Sequence, residues 1–251
     1  MTFTTAAEAV EHICSTEPIY ALDTASIRGI EYKVFKNVPP HMGEFLAVCE
    51  QHGDLDFVVY QDERLTFRQF REKANQLAQA LMHECGVRPG DKVAVSMRNY
   101  PEYLLLIMAI TSIGGVIVFL NSWWTSDEME YGFTDSGARL AFLDGPRAKV
   151  VAPFAARLGI RQIIVRDSAL QGTMAFDDLM AKAPSNDVPD VDIDTDADMA
   201  VMYTSGSTGH PKGVVLTHRS AMSAVYSWRM TARVGELMGT APELPLDANG
   251  E

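Results

Sequence analysis

The sequence predicts a layered α/β fold in which helices flank a mostly parallel sheet. Between positions 92 and 165, short apolar runs alternate with segments of helical spacing. The helical segments begin with proline or serine and end at glycine, as helices commonly do. Strands that are buried on both faces form continuous apolar runs, and parallel strands need helical crossovers. The alternation therefore indicates βαβ units that share one sheet.

The alternating region contains four predicted strands and three predicted helices. The strands are 92–97, 116–120, 139–143 and 162–165. The helices begin at Pro101, Ser126 and Pro146 and end at Gly114, Gly137 and Gly159. Proline suits the first turn of a helix, and Ser126 is expected to act as an N-cap. We interpret the segment that contains Asn99, Pro101 and Glu102 mainly as the start of a helix.

Shorter elements are predicted on either side of this region. Before it come a helix over 5–14, an extended stretch over 26–38, a helix over 41–51 and a hairpin over 56–67. Thr66 and Gln69 have the spacing of a capping box, and the helix that follows is expected to run to about Cys85 and stop at Gly86. The methionines after the last strand, expected to pack in the core, are Met222, Met230 and Met238.

Composition narrows the class of protein. The 251 residues suffice for one or two domains, and a hydrophobic content of 47% is typical of a folded chain. A net charge of −12 argues against a nucleic-acid partner, which needs clustered positive charge. Three cysteines without close spacing indicate neither a disulfide framework nor a zinc site. The first residues lack the pattern of a signal peptide, so a cytoplasmic location is expected.

Two segments each allow a second interpretation. The uncharged run Tyr103–Ser126 has 24 residues, enough to span a bilayer, but Gly114 and Gly115 interrupt it and no basic cluster flanks it. We expect a buried helix, a glycine stop and a buried strand instead. Residues 177–198 contain eight Asp and one Lys. We expect a solvated connector over 183–198 and not a cation site, since the glycine and terminal Glu of an EF-hand loop are missing.

The most informative segment follows the acidic connector. Two apolar strands, 199–203 and 213–217, enclose a loop rich in hydroxyls and glycines. The hydroxyl and glycine residues of the segment are Thr204, Ser205, Gly206, Ser207, Thr208, Gly209 and Gly213. Amides, hydroxyls and Lys212 together suit an anion with several oxygens, such as a polyphosphate. This is not a Walker loop, because glycine and not Ser or Thr follows the lysine. The alternative is a Ser/Gly-rich surface hairpin.

The loop TSGSTGHPKG, in this strand context, closely resembles the signature loop of the AMP-forming adenylating enzymes. This superfamily includes acyl-CoA and aryl-CoA ligases, luciferase and peptide-synthetase adenylation domains. LTFRQFREKANQLAQAL, GVRPGDKVAVSMRNYPEY and ITSIGGVIVFLNSWWTSDEMEY resemble its earlier segments, so the likeness covers roughly 40–235. The fold it implies is the N-terminal part of an acyl-CoA-synthetase-like large domain. No role is assigned to Trp123 and Trp124.

The resemblance implies a two-step reaction. A carboxylate attacks the α-phosphate of ATP, pyrophosphate leaves, and the acyl group of the adenylate passes to a thiol, usually that of coenzyme A. The nucleotide-binding residues it implies are Thr204, Ser205, Gly206, Ser207, Thr208, Gly209 and Lys212. Lys212 is expected near the β- and γ-phosphates, and Thr204 is expected to reach Mg²⁺. His218 either takes part in the chemistry or caps a helix that begins near Ser220.

Family members are about twice as long as this chain. The expected division is therefore an α/β subdomain over 1–182, the connector over 183–198, and over 199–251 a phosphate-loop hairpin with the start of a further subdomain. The favoured function is the N-terminal portion of a fatty-acyl-CoA synthetase, with a small carboxylate, ATP and coenzyme A as partners. This portion is expected to be inactive alone and to hold no catalytic residue. The alternative is an ATP- or phosphate-binding scaffold without catalysis.

Overall fold

A computed structural model describes residues 3–204 and 211–240. These residues form two compact units. One contains the chain up to Pro39 together with the chain from Arg219 onward, and the other is Pro40–His218. The predicted division into 1–182, 183–198 and 199–251 stays a prediction.

The strands and helices have the following bounds. The strands are β1 (Leu22–Ile27), β2 (Ile30–Phe35), β3 (Asp56–Tyr60), β4 (Glu63–Thr66), β5 (Lys92–Ser96), β6 (Val116–Phe119), β7 (Leu140–Asp144), β8 (Arg161–Val165), β9 (Met174–Ala175), β10 (Asp198–Thr204) and β11 (Lys212–Thr217). The helices are α1 (Ala6–Thr16), α2 (Met42–Ala47), α3 (Phe67–His83), α4 (Pro101–Ser112), α5 (Ser126–Ser136), α6 (Gly145–Leu158), α7 (Phe176–Met180) and α8 (His218–Met238).

One sheet organises the larger unit. Its strand order is β11-β10-β6-β5-β7-β8-β9. All neighbours in this order pair in parallel except β10 and β11, which form an antiparallel hairpin. The predicted α/β fold with a mostly parallel sheet is therefore confirmed. Since parallel strands point the same way, the carboxyl ends of β5, β6, β7 and β10 meet at one edge.

Apolar side chains from the sheet and from α5 and α6 form the core of this unit. Phe133 and Phe154 pack at a ring-centroid distance of 6.0 Å, and both are fully buried or nearly so. The buried strand residues beside them include Ala94, Val118, Ala141 and Ile164. The continuous apolar runs in the sequence thus correspond to strands covered on both faces, as predicted.

The predicted capping box at the start of α3 is present. The Thr66 hydroxyl accepts from the Gln69 amide at 3.2 Å, and the Gln69 side chain accepts from the Thr66 amide at 3.0 Å. At α5 the predicted N-cap was one residue too late. Thr125, and not Ser126, is the cap, because Glu128 completes a capping box with it. Ser126 instead donates to the Val150 carbonyl at 3.0 Å.

The long uncharged run divides as predicted into a helix, a glycine stop and a strand. α4 ends at Ser112, Gly114 adopts a left-handed φ of 72°, and β6 begins at Val116. A Cβ on Gly115 would lie 2.9 Å from the Ile110 carbonyl oxygen, so this close turn requires glycine. Within residues 3–204 and 211–240, no helix is long and apolar enough to cross a membrane.

The smaller unit contains a hairpin that the sequence did not predict. β1 and β2 pair in antiparallel over residues 22–35, whereas the sequence predicted only an extended stretch over 26–38. The turn has positive φ at Arg28 (51°) and Gly29 (83°), the backbone of a two-residue hairpin turn. Arginine is not a usual residue for such a position, which hid the turn. Tyr20 and Tyr226 form the core of this unit with Ile13.

A buried ion pair joins three strand ends at the carboxyl edge of the sheet. Asp144, at the end of β7, pairs with Arg147 at 3.2 Å, and both side chains are less than a tenth exposed. Asp144 also accepts from the backbone amide of Arg98, just beyond β5, at 3.2 Å. The Arg147 Nε donates to the carbonyl of Ser122, beyond β6, at 2.9 Å. The pair therefore ties β5, β6 and β7 together.

We expect Asp144→Ala to lower the free energy of unfolding by about 3–5 kcal/mol, because it leaves the Arg147 charge buried without its partner. Chemical denaturation of the purified chain measures this. Asp54→Ala is the matched control, since Asp54 pairs with Arg68 at 3.0 Å on the exposed surface. Its expected cost is at most ~1 kcal/mol. Equal losses in the two variants would contradict the role given to the buried pair.

Candidate functional site

The two strand ends that flank the predicted phosphate loop lie at the carboxyl edge of the sheet. β10 ends at Thr204, β11 begins at Lys212, and these two residues are direct cross-strand partners. Both side chains are exposed, and the Thr204 hydroxyl donates to the Lys212 carbonyl at a long 3.5 Å. The structure therefore brings together the two ends of the loop. The remaining predicted nucleotide-binding residues, Ser205, Gly206, Ser207, Thr208 and Gly209, lie outside the described residues.

An aromatic pair supports the end of β10 one residue before the loop. The Tyr203 hydroxyl donates to Asp135 at 2.7 Å, and its ring meets Trp124 edge-on at 5.4 Å. Burial and the neighbouring Asp135 carboxylate raise the pKa of Tyr203, so the hydroxyl keeps its proton. Trp124 is thus a packing residue, which the sequence left without a role. A Cβ on Gly132 would lie 2.8 Å from it, so a small residue is needed there.

His218 lies at the other end of the hairpin and is fully buried. It is the first residue of α8, so the helix begins two residues before Ser220, near which its start was expected. It does not cap that helix either. Its Nδ1 accepts from the amide of Met42, at the start of α2, at 3.2 Å. Burial, and secondarily the nearby His41, lower the pKa of His218 to about 4, so the ring is uncharged at neutral pH.

A cavity lies where the chain order of the parallel strands reverses. From β5 the chain continues to β6 on one side and then crosses to β7 on the other. Open α/β sheets commonly bind ligands at this position, outside the carboxyl ends of the strands. The cavity has a volume of about 400 Å³. Its lining residues include Tyr60, Asn99, Tyr100, Trp123 and Arg147.

Trp123 and Arg98 supply an exposed aromatic ring and an exposed positive charge to this cavity. The Trp123 side chain is 79% exposed, although indoles are usually well covered. The guanidinium carbons of Arg98 and Arg147 lie 6.0 and 5.9 Å from its ring centroid. Asp144 neutralises Arg147, whereas no carboxylate within the described ranges forms an ion pair with Arg98. An exposed ring beside one unneutralised cation suits a planar ligand that carries negative charge.

A helix begins next to this cavity, as the sequence predicted. Pro101 occupies the first turn of α4, with Tyr100 as its N-cap. Glu102 accepts from the Arg166 Nε at 2.8 Å. Arg166 also forms a bidentate pair with Glu63 on the β3–β4 hairpin. These residues attach the hairpin to the sheet.

Sequence reasoning missed Arg98, Trp123 and Asp144 as members of one cluster. They follow three different strands, and their proximity depends on the strand order. The available signal was that each lies just after a predicted apolar strand, or at its end. Parallel strands would then place all three at the same edge. In residues 3–204 and 211–240, no group of three or more His, Cys, Asp or Glu side chains is arranged to hold a metal ion.

Comparison with known proteins gives consistent matches. The family model described as AMP-binding enzyme matches residues 45–242. The long-chain-fatty-acid–CoA ligase FadD13 of Mycobacterium tuberculosis is 33% identical over 177 residues, which cover 69% of this chain and 33% of that protein. Bacitracin synthase 2 of Bacillus licheniformis is 32% identical over 177 residues, covering 70% of this chain and 6% of that protein.

A solved structure agrees with these relatives. The N-terminal domain of FACL13 from Mycobacterium tuberculosis superposes with a TM-score of 0.66 at 27% identity, covering 80% of this chain and 55% of that one. The chain spans about a third of the length of FadD13. The family model covers more than half of the chain and includes both strands of the hairpin. The chain therefore belongs to the family of AMP-binding enzymes.

Proposed function

We propose that this chain forms the N-terminal portion of an AMP-forming carboxylate–CoA ligase that activates a fatty acid. The observation that carries the proposal is the β10–β11 hairpin, which presents Thr204 and Lys212 side by side at the carboxyl edge of a parallel sheet. The relatives include a long-chain-fatty-acid–CoA ligase, which favours a fatty acid as the substrate. The cytoplasm is the expected compartment.

The chemistry of the hairpin fits the first step of this reaction. Attack of a carboxylate on the α-phosphate of ATP leaves negative charge on the departing pyrophosphate, and positioned donors stabilise that charge. Lys212 is exposed between two small neighbours, Pro211 and Gly213, so its ammonium group can reach a phosphate. Together with Ser205, Gly206, Ser207, Thr208 and Gly209, it would form the phosphate cradle.

Thr204 fits the part of a magnesium ligand. Mg²⁺ prefers oxygen ligands and usually takes only one or two from the protein, with the rest from phosphates and water. The Thr204 hydroxyl is exposed, and its contact with the Lys212 carbonyl at 3.5 Å leaves the oxygen lone pairs available. Bound with ATP, the ion would neutralise phosphate charge during the transfer.

The cavity beside Trp123 suits the nucleotide part of coenzyme A in the second step. Coenzyme A carries a planar adenine and several phosphates. Trp123 offers an exposed ring, and Arg98 offers the unneutralised charge. The other candidate function is a phosphate-binding scaffold without catalysis. Such a scaffold would need only the hairpin, and it would not explain why this cavity is present.

We expect Lys212→Ala to slow acid-dependent ATP–pyrophosphate exchange by about 10²–10³-fold in the protein that contains this chain at its natural length. Loss of one donor to developing charge typically has an effect of this size. The thermal midpoint should hardly change, because an exposed lysine contributes at most ~0.5 kcal/mol to stability. Lys149→Ala, on the exposed face of α6, is the control and should leave exchange unchanged. Normal exchange in Lys212→Ala would remove the lysine from the mechanism.

We expect Arg98→Gln to raise the KM for coenzyme A roughly tenfold, as the loss of one charge-assisted hydrogen bond would. ATP–pyrophosphate exchange, which does not involve coenzyme A, should stay as in the wild type. Steady-state acyl-CoA formation measures the KM for coenzyme A, and isotope exchange measures the ATP–pyrophosphate reaction. Arg157→Gln is the control, since Arg157 is exposed and pairs with Glu130 away from the cavity. An unchanged KM in Arg98→Gln would place the thiol substrate elsewhere.

The 251-residue chain by itself is expected to release no pyrophosphate from ATP with any fatty or aromatic acid. We expect this because the chain matches only about a third of the length of FadD13. A coupled pyrophosphate assay over a panel of acids tests this, with Lys212→Ala as the blank. Acid-dependent release above that blank would contradict the expectation.

A further inference from the structure

We propose that His218 is a positioning residue that fixes the register of β11 and thereby keeps Lys212 opposite Thr204. This inference rests on the proposed function for its catalytic consequence, although the register itself can be tested without it. His218 is about 20 Å along the strand from Lys212, at ~3.3 Å per residue, so it does not touch the phosphates that Lys212 would hold.

The side chains of β11 do little to define its register. It is the edge strand of the sheet and pairs with β10. The residues Lys212–Val215 are exposed, with Val214 and Val215 44% and 48% accessible. The ladder is also irregular between Asp198 and Ala200, close to its base. Strands without a buried face are prone to slip, and a slip by one residue turns every side chain to the opposite face.

His218 supplies the missing constraint at the base of the hairpin. Its amide donates to the Ala197 carbonyl at 3.2 Å, which closes the ladder one residue beyond Thr217. Its ring is fully buried and accepts from the Met42 amide at 3.2 Å. A slip by one residue would withdraw the ring from this position and leave the Met42 amide without its acceptor. Buried donors without a partner are strongly disfavoured, so one register is selected.

The hydrogen bond from the Met42 amide requires the ring to be uncharged. The His41 ring lies edge-on at 6.2 Å, and the His41 Nε2 is 3.7 Å from the Glu44 carboxylate. Asp198 lies on the neighbouring strand, opposite Thr217. Because Nδ1 accepts the Met42 hydrogen, the proton of the neutral ring is on Nε2, which has no partner among the described residues. A second proton on Nδ1 would abolish the bond to Met42.

Three variants separate the hydrogen bond from the volume of the ring. His218→Phe keeps a ring but removes the acceptor. His218→Asn places an amide oxygen near the position of Nδ1. Met42→Pro removes the donor from the other side, and proline is tolerated at the first position of a helix, which Met42 occupies in α2. If His218→Phe fails to fold, Met42→Pro alone decides.

The register is read out by a cross-strand disulfide. Met202 and Val214 are direct partners, both exposed, so Met202→Cys with Val214→Cys should cross-link readily in the correct register. Peptide mapping distinguishes this product from links to the native cysteines. We expect the cross-linked fraction to fall at least fivefold with His218→Phe or Met42→Pro, and to recover to within twofold of the wild type with His218→Asn. An unchanged fraction in either of the first two variants would overturn the proposal.

ATP–pyrophosphate exchange is measured in the same variants at the protein's natural length. We expect kcat to fall at least tenfold with His218→Phe and to recover with His218→Asn. Normal exchange despite a lost cross-link would overturn the link between register and Lys212. Absence of exchange in the wild type would refute the proposed function, while the cross-link would still decide the role of His218.

Discussion

The buried ion pair of Asp144 and Arg147 is the constraint on which the carboxyl edge of the sheet depends. Two charges with little exposure are stable only when they satisfy each other and their remaining hydrogen-bonding groups. Asp144 meets this condition by accepting from the Arg98 amide, and Arg147 by donating to the Ser122 carbonyl. The segments that follow β5 and β6 are therefore held where β7 ends. This arrangement also determines where Arg98 and Trp123 can lie.

The two sides of the sheet are stabilised in different ways. From β6 to β8, apolar side chains are buried on both faces, and their packing supports the strand pairing together with the buried ion pair. At β10 and β11 the burial decreases, and Met202, Val214 and Val215 are exposed. Here a few individual side-chain contacts hold the strands. Tyr203 is held by Asp135 and Trp124 on the outgoing strand, and His218 is held by Met42 after the return strand.

The sequence predicted the elements whose signals are local. The capping box of Thr66 and Gln69, the glycine stop at Gly114 and the apolar strands all depend on residues close together in the chain. The β1–β2 hairpin escaped prediction because its turn places Arg28, and not Asn or Asp, at a positive φ. Ser126 was wrongly predicted as the cap because Ser126 and Thr125 are both hydroxyl residues that suit this position. Only the contact that Glu128 makes with Thr125 distinguishes them.

The candidate site also has one part that the sequence could predict and one part that it could not. The predicted phosphate loop is a continuous motif, so its residues could be proposed from the sequence, and those between Thr204 and Pro211 lie outside the described residues. The cluster of Arg98, Trp123 and Asp144 comes from three strands that are far apart in the chain. Its assembly depends on the order β6-β5-β7, which no local pattern contains. His218 was noticed for its position after the loop, but its burial depends on α2, far earlier in the chain.

The strand order also separates the two parts of the edge. β10, which carries Thr204, and β5, which precedes Arg98, are the two neighbours of β6. At ~4.8 Å between adjacent strands, the starts of the two segments are roughly 10 Å apart across the sheet. The backbones of the two segments therefore begin at separate positions along the carboxyl edge. The end of the β10–β11 hairpin and the cavity beside Trp123 therefore lie at different positions along this edge. Under the proposed function, this arrangement provides one position for each of two phosphate-bearing ligands.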